Sequence, residues 1–297
     1  MSPADDDVPR DISPESGAPD AGLTLVATPI GNLGDLSPRA RAVLAGADAV
    51  LCEDSRVTLR LLSANGIARP LWTLHEHNED AMTARVLATL SEGRRHALVS
   101  DAGTPLVSDP GYRLVRAAIA AGATVSAVPG PAAAVMALTL SGLPPLPFLV
   151  LGFPPPRQAA RRAAFGAIRA AEAAGLSATL IWHEAPHRLA ETLADLATAF
   201  GPRPAAVARE LTKRFEEVRR GTLPELAAHY AAEATRGEIT LVVGPPDAAA
   251  VDDLDARLRE AMAENSLRDA AALVAAASGR PRKEVYGRAL ELAKQRG

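Results

Sequence analysis

Short apolar runs alternate with amphipathic segments along residues 23–243, and this alternation predicts an α/β protein. Continuous apolar runs of strand length are typical of strands that are buried on both faces of a sheet. The segments between them have the spacing of helices that cover such a sheet. The predicted strands are 23–27, 48–52, 71–74, 96–100, 124–128, 148–151, 178–183, 205–210 and 239–243, and the predicted helices are 38–45, 57–64, 79–91, 112–121, 132–141, 159–174, 188–200 and 224–234.

Changes in this pattern divide the chain into four parts. Residues 1–21 are acidic, carry Pro, Ser and Gly without an apolar period, and are predicted to be a disordered tail. Two α/β domains are predicted at 22–135 and 136–246. Residues 252–297 contain helical patterns only, at 254–264, 267–277 and 281–296, with Ser266 and Asp269 as a partial capping box. This last part is predicted to be a small helix-turn-helix-like module.

Composition and charge narrow the class of protein. The chain carries a net charge of −3, of which residues 1–20 contribute −5, so the remainder is slightly basic. The single cysteine, Cys52, has no partner for an internal disulfide and favours a reducing cytosol. Residues 117–156 lack charge, but Gly and Pro interrupt them too often for a membrane span. We therefore expect a cytoplasmic protein that is not embedded in a membrane.

Glycine- and proline-rich loops follow three strands of the first predicted domain, at 28–35, 101–111 and 129–133. Ligands bind beyond the carboxyl ends of the strands in such sheets. Any one of these loops is explained by ordinary turn chemistry, but three together predict a rigid pocket that offers backbone N–H and C=O groups. Neither the GxGxxG dinucleotide fingerprint nor a phosphate-binding P-loop is present.

The sequences of these loops, and their order along the chain, resemble those of one family, the tetrapyrrole-methylase-like methyltransferases. Within it they resemble the bacterial enzymes that methylate small-subunit rRNA. Two departures are His183, where members usually have tyrosine, and the acidic N-terminal extension. The matching segments are TPIGNLGDLSPRA (28–40), CEDSR (52–56), LHEHNE (74–79), ALVSDAGTPLVSDPGYRLV (97–115), PGPAA (129–133), GLPPLPFLVLGFPP (142–155), HEAPHR (183–188), ARELTK (208–213) and GEITLVV (237–243).

The resemblance implies a fold, a cofactor and a reaction. It implies two α/β domains with an active-site cleft between them, where S-adenosylmethionine binds, and a homodimer. It also implies 2′-O-methylation of a cytidine in the decoding region of 16S rRNA, with that rRNA or the assembled small subunit as partner. The cofactor-binding residues that it implies are Ile30, Asp101, Ala102, Gly103, Pro105, Ala133, Phe153, Ala208 and Thr240.

Methyl transfer to a ribose hydroxyl needs alignment and removal of a proton, and it needs no metal. Candidate residues lie just after predicted strands, and each is equally explained as a helix cap or an ion-pair partner. His75 and His77 point to opposite faces of an extended segment, which argues against a metal site. The catalytic candidates are Glu53, Asp54, Glu184, Glu210 and Lys213.

Basic residues cluster at 157–169, at 203–220 and in the last twenty residues, where the net charge is +4. Such clusters are consistent with contacts to an RNA backbone, although helix charge is commonly only solvated. The low aromatic content, 3%, favours recognition of a structured RNA by shape. Two alternatives stay open: a methylase of the same fold that acts on a tetrapyrrole or another small acceptor, and a non-catalytic RNA-binding protein of ribosome assembly.

Overall fold

The computed structural model describes residues 21–75, 77–107, 109–232, 235–246, 254–278 and 281–294. The predicted acidic tail, apart from its last residue, and the basic residues Arg280 and Arg296 lie outside the described residues. Contacts between Cα atoms divide the chain into two compact units, Met1–Ala132 and Ala133–Gly297, which we call the N-terminal and C-terminal units. The helix that begins at Ala133 belongs wholly to the C-terminal unit, whereas the predicted boundary at 135/136 cuts it.

The N-terminal unit contains a five-stranded sheet in the order β3-β2-β4-β1-β5, and every neighbouring pair of strands is parallel. Four helices accompany these strands. The strands are β1 Gly22–Val26, β2 Ala49–Cys52, β3 Leu71–Thr73, β4 Arg95–Val99 and β5 Val125–Val128, and the helices are α1 Pro38–Gly46, α2 Ser55–Ala64, α3 Glu79–Ser91 and α4 Tyr112–Ala120.

Apolar residues cover both faces of this sheet, as the continuous apolar runs predict. Within β2, Val50 belongs to one buried cluster and Leu51 to another, because successive side chains of a strand point to opposite faces. Local residues also delimit the helices of this unit. The Ser37 hydroxyl accepts a hydrogen bond from the Ala40 N–H at 3.1 Å and caps α1, while Gly66 takes the left-handed φ of +68° beyond α2.

The C-terminal unit contains a second five-stranded sheet in the order β6-β7-β10-β8-β9. The β6–β7 pair is parallel and the other pairs are antiparallel. Its buried core contains Phe165, Trp182 and Phe200, whose ring centroids lie 5.6–6.2 Å apart. The elements are α5 Ala133–Ser141, β6 Phe148–Val150, α6 Gln158–Ala173, β7 Thr179–Glu184, α7 Leu189–Phe200, β8 Pro204–Arg209, β9 Glu217–Thr222, α8 Leu223–Ala232 and β10 Ile239–Val243.

Three further helices in this unit have a small apolar core of their own. They are α9 Leu254–Glu264, α10 Leu267–Ser278 and α11 Arg282–Lys294. Leu258, Val274 and Leu292 are buried in that core. The Asp269 N–H donates to the Ser266 hydroxyl at 3.2 Å, which confirms the predicted cap of α10. Among the described residues, no helix is both long and apolar enough to cross a bilayer.

Candidate functional site

Hydrogen bonds join the loops that follow β1, β4 and β5 of the N-terminal unit into one assembly. Thr28 and Gly103 exchange two backbone hydrogen bonds, of 2.9 and 3.1 Å. The Ser100 hydroxyl donates to the Gly103 carbonyl at 3.1 Å, and the Thr104 hydroxyl donates to the Pro131 carbonyl at 3.1 Å. The three loops that the sequence singled out therefore support one another at the carboxyl ends of neighbouring strands.

Gly103 lies at the centre of this assembly. Its φ is +82°, a conformation that residues with a side chain rarely adopt. A Cβ there would lie 3.4 Å from Ile30 Cγ2 and 3.6 Å from the Pro131 carbonyl oxygen. Of the residues that the resemblance assigns to the cofactor in this loop, Gly103 and Pro105 are buried, Asp101 is half-buried and Ala102 is exposed.

Acidic residues gather at the same edge of the N-terminal sheet. Asp101 Oδ1 accepts a hydrogen bond of 3.0 Å from the Asp54 N–H, which ties the loop after β4 to the loop after β2. Burial, together with the negative charges of Glu53 and Asp101, raises the pKa of Asp109 to about 6. Asp109 is therefore a stronger base than an ordinary carboxylate, and this edge carries a negative potential.

Asp109 is a functional candidate that the sequence interpretation missed, although it lies in one of the quoted motifs. The sequence signal that could have identified it is a second aspartate after Asp101 in the loop that follows β4, together with Glu53 in the loop that follows the neighbouring strand β2. Asp54, in contrast, is a helix cap. It accepts a hydrogen bond from the Arg56 N–H at 2.8 Å and pairs with the Arg56 guanidinium, which lowers the pKa of Asp54 to about 2.

No group of three or more potential ligands among the described residues is arranged to hold a metal ion. His75 and His77 are both described, whereas Glu76 between them is not.

In the C-terminal unit, the carboxyl ends of β7 and β8 meet the amino end of β10. Ile239 lies opposite both Glu184 and Arg209, and Thr240 lies opposite both His183 and Ala208. This register follows from the antiparallel pairing of β10 with both neighbours. We call this end of the second sheet the β7–β8–β10 edge.

Three residues that the resemblance assigns to the cofactor lie together at this edge. Ala208 and Thr240 are register neighbours. His183 Nδ1 lies 3.3 Å from Thr240 Oγ1, and the His183 ring lies 5.7 Å from the half-exposed Phe153 ring, measured between centroids. Burial lowers the pKa of His183, so the imidazole is neutral at physiological pH. The fourth residue assigned to the cofactor in this unit, Ala133, is half-buried at the start of α5.

Glu184 is buried at this edge, and its carboxylate is held by the protein itself. It accepts hydrogen bonds from the Ala185 N–H at 2.8 Å and from the Thr192 hydroxyl, and it pairs with Arg188 at 3.3 Å. With its side chain fully buried, this carboxylate fixes the turn between β7 and α7.

Glu210 and Lys213 form a partly exposed charged group with Glu238. Lys213 Nζ lies 2.9 Å from Glu210 Oε1 and 3.2 Å from Glu238 Oε2. The hydrogen bond from Lys213 lowers the pKa of Glu210. Burial alone would lower the pKa of Lys213, but its two carboxylate partners outweigh that effect and raise it. Lys213 therefore carries its proton at neutral pH, which suits it for orienting a substrate oxygen.

One arginine in each of the first two basic clusters is buried and paired with a carboxylate. Arg161 is fully buried against Asp195 at 2.6 Å, and Arg203 is buried against Glu172 at 2.6 Å. The expectation that these clusters form a phosphate-contacting surface is wrong for both residues. In the last basic cluster, Arg288 pairs with Asp255 at 2.6 Å.

Comparison with known proteins gives two family matches. Residues 22–227 match the model of the tetrapyrrole (corrin/porphyrin) methylases, and residues 248–293 match the model of the RsmI C-terminal HTH domain.

Similar proteins include ribosomal RNA small subunit methyltransferase I of Mesorhizobium japonicum, which is 48% identical over 274 residues, or 91% of this chain and 92% of that protein. The protein of the same name from Escherichia coli O157:H7 is 42% identical over 275 residues, or 91% and 94% of the two chains.

Among solved structures, uroporphyrin-III-C-methyltransferase from Thermus thermophilus has a TM-score of 0.51 at 27% identity and covers 75% of this chain and 94% of its own. The cobalt precorrin-4 methyltransferase, with a TM-score of 0.55 at 16% identity over 75% of this chain and 94% of its own, shares the fold.

Proposed function

The chain belongs to the tetrapyrrole (corrin/porphyrin) methylase family, and from that premise we propose that it methylates small-subunit ribosomal RNA. The observation that carries this choice is the match of residues 248–293 to the RsmI C-terminal HTH domain. The uroporphyrin methyltransferase is matched over 94% of its length by only 75% of this chain. A module beyond the shared methylase part therefore favours RNA over a tetrapyrrole as acceptor.

The reaction proposed is transfer of a methyl group to the 2′-oxygen of a cytidine in the decoding region of 16S rRNA. When bound, S-adenosylmethionine supplies an electrophilic methyl group. Two features of the N-terminal unit fit this cofactor. The left-handed Gly103 permits close approach of the backbone, and the carboxylates near Asp101 complement a positively charged sulfonium and ammonium.

The cofactor contacts proposed are those that the resemblance assigns. In the N-terminal unit they are Ile30, Asp101, Ala102, Gly103 and Pro105, all in the loops that the Thr28–Gly103 pair supports. In the C-terminal unit they are Ala133, Phe153, Ala208 and Thr240, three of which lie at the β7–β8–β10 edge.

The protein's side chains have two tasks: they align the acceptor hydroxyl with the methyl group, and they remove the proton of that hydroxyl. Asp109 is the proposed proton acceptor, because burial and the nearby negative charges raise its pKa to about 6, so it binds a proton more readily than an ordinary carboxylate and is still largely ionised above pH 6. The Lys213 ammonium, held by Glu210 and Glu238, is proposed to orient an oxygen of the acceptor nucleotide. Glu53 acts on Asp109 by charge. Glu184 and Asp54 position the backbone.

Purified protein, labelled S-adenosylmethionine and alternative acceptors test the proposal. We expect label in the rRNA of small subunits from cells without this gene, and none in uroporphyrinogen III. Label in the tetrapyrrole alone would support the rival acceptor. No transfer to either acceptor, together with no saturable thermal stabilisation by S-adenosylhomocysteine, would support the non-catalytic alternative. The proposal includes a homodimer in the cytoplasm, and sedimentation of the purified protein tests the dimer.

A further inference from the structure

A tight loop of residues 210–216 follows β8 in the C-terminal unit. Glu210 and Thr212 both adopt positive φ, of +50° and +65°, which is uncommon for residues with a side chain. The loop is closed by hydrogen bonds from the Lys213 N–H to the Glu210 carbonyl, 3.0 Å, and from the Glu216 N–H to the Lys213 carbonyl, 3.1 Å. The Glu216 carboxylate also accepts from the Thr212 N–H at 2.6 Å. These contacts fix the loop in one conformation.

This fixed loop exposes an aromatic ring beside a cation. The side chain of Phe215 is 64% exposed, and the Arg214 guanidinium lies 5.5 Å from its ring centroid. In the part of the chain that the structure describes, Lys213 and Arg209 have carboxylate partners and Arg214 has none. The loop therefore offers a preorganised π-face together with an uncompensated positive charge.

The neighbours of Phe215 argue against an apolar protein contact. Arg214 and Glu216 flank it and are exposed, and Lys213 before them is partly exposed. A protein-docking patch of appreciable size is contiguous and apolar, whereas this ring stands alone among charges. An aromatic side chain with an adjacent guanidinium is the combination that stacks unpaired bases and contacts phosphate in single-stranded RNA.

The loop also begins at the β7–β8–β10 edge. It follows Ala208 and Arg209 directly, and Lys213 ties it to Glu238 at the start of β10. A nucleotide held by this loop would therefore lie beside the residues of this unit that the proposed function assigns to the reaction.

We propose that Phe215 stacks on an unpaired nucleobase of the RNA substrate while Arg214 contacts an adjacent phosphate. This inference rests on the proposed function and adds a specific contact to it. It also modifies the expectation of recognition by shape alone, since one aromatic residue here suits one splayed base.

Methyl transfer to unmodified small subunits is measured for the wild type and for Phe215→Ala, Phe215→Leu and Phe215→Trp. Phe215→Ala is expected to raise KM for the subunit roughly 5- to 150-fold, the range seen when a base-stacking aromatic is removed. Affinity for S-adenosylhomocysteine is expected to stay the same. Phe215→Trp is expected to keep KM within a few-fold of the wild-type value, because indole also stacks on bases. Ile119→Ala, which truncates a side chain that is 62% exposed on α4, is the matched control and is expected to match the wild type.

A direct spectroscopic reading does not depend on turnover. Phe215→Trp is titrated with a short single-stranded oligocytidylate, and the wild type, which has Trp72 and Trp182, provides the baseline. Stacking predicts quenching beyond that baseline, and Arg214→Ala in the same background predicts weaker binding with a shallower salt dependence.

Any of three results would overturn the inference. KM could be unchanged in Phe215→Ala, Phe215→Leu could have the wild-type KM, or the tryptophan fluorescence of Phe215→Trp could show no quenching beyond the wild-type baseline. Rescue by leucine would indicate an apolar protein contact instead. If the wild type fails to methylate rRNA but Phe215→Trp is still quenched, the proposed function fails while the stacking contact stands.

Discussion

Thr28 and Gly103 are joined by a reciprocal pair of backbone hydrogen bonds, although 75 positions separate them in the sequence. This pair brings the loop after β1 against the loop after β4, and the Thr104 hydroxyl extends the assembly to Pro131. Because hydrogen bonds join these loops to one another, the surface of the N-terminal unit that we propose to bind the cofactor is preformed. A change at Gly103 is therefore expected to alter that surface.

Replacing Gly103 with valine is expected to abolish binding of S-adenosylhomocysteine. A β-branched side chain is strained at φ +82° and occupies the space in front of Ile30. Gly122→Val is the control, because Gly122 has a similar φ of +74° but open space around it. Both variants are expected to lose about 1–2 kcal/mol of stability from backbone strain. Calorimetry in which Gly103→Val binds the ligand normally would refute this placement.

Asp109→Asn is expected to stabilise the protein at pH 7.5 while it slows methyl transfer. Since the folded-state pKa is about 6, above the ordinary value of 3.8, the stabilising effect of the bound proton is lost as pH rises through 6. Removing the charge is therefore expected to raise the free energy of unfolding by about 1–2 kcal/mol at pH 7.5, after allowance for solvent screening. At pH 3 the variant should show no such gain.

The pH–rate profile separates a catalytic role of Asp109 from a structural one. The wild-type rate is expected to rise as pH passes 6, because the carboxylate form accepts the proton. The amide that Asp109→Asn introduces does not titrate in this range, so that rise should disappear in the variant. Glu92→Gln, a neutralisation of an exposed carboxylate at the end of α3, serves as control. A variant that keeps the wild-type rate and profile would exclude Asp109 as the acceptor.

Two of the candidate catalytic residues are expected to respond differently to alanine substitution. Glu184→Ala should cost about 2–4 kcal/mol of stability, because Arg188, Thr192 and the Ala185 N–H lose their buried partner. Lys213→Ala should change stability by less than about 1 kcal/mol, since its ion pairs are partly exposed, and should lower kcat. Chemical denaturation and single-turnover rates distinguish the two. A large kcat loss in a fully stable Glu184→Ala would reverse this assignment.

The helical module is expected to bind RNA without affecting the cofactor. Arg282, Lys283 and Lys294 are exposed, whereas Arg288 is paired with Asp255. Replacing the three exposed residues with alanine is expected to reduce the slope of log K against log salt by up to about three, roughly one for each phosphate that is no longer neutralised. Affinity for S-adenosylhomocysteine should stay constant. An unchanged RNA affinity and slope would remove the case for this module as an RNA anchor.

Most strands and helices could be predicted from the sequence, because a buried strand appears there as a continuous apolar run. Strand β10, at Ile239–Val243, matches its predicted range in full. Strand β9 was missed, because Glu217–Thr222 is polar and lies at the edge of its sheet, where charged side chains are favoured over apolar ones.

The burial and the partners of charged side chains could not be predicted from the sequence to the same extent. Arg161 and Glu184 look like surface residues in a one-dimensional pattern, and only the tertiary structure supplies the partners that bury them. The raised pKa of Asp109 likewise depends on burial and on the charge of Glu53, which lies on a different loop. Asn78 precedes α3 and is of a residue type that commonly caps helices, but its side chain makes no capping hydrogen bond. It accepts from the His75 N–H and donates to the Thr73 carbonyl, which closes the preceding turn.

The central claim is tested most directly by mapping 2′-O-methylation across 16S rRNA in cells that lack this gene. We predict that one cytidine of the decoding region loses its 2′-O-methyl group. We also predict that the wild-type gene restores this methyl group, and that a Gly103→Val gene expressed at the same level does not. An unchanged methylation map in the deletion strain, or full restoration by Gly103→Val, would contradict the account.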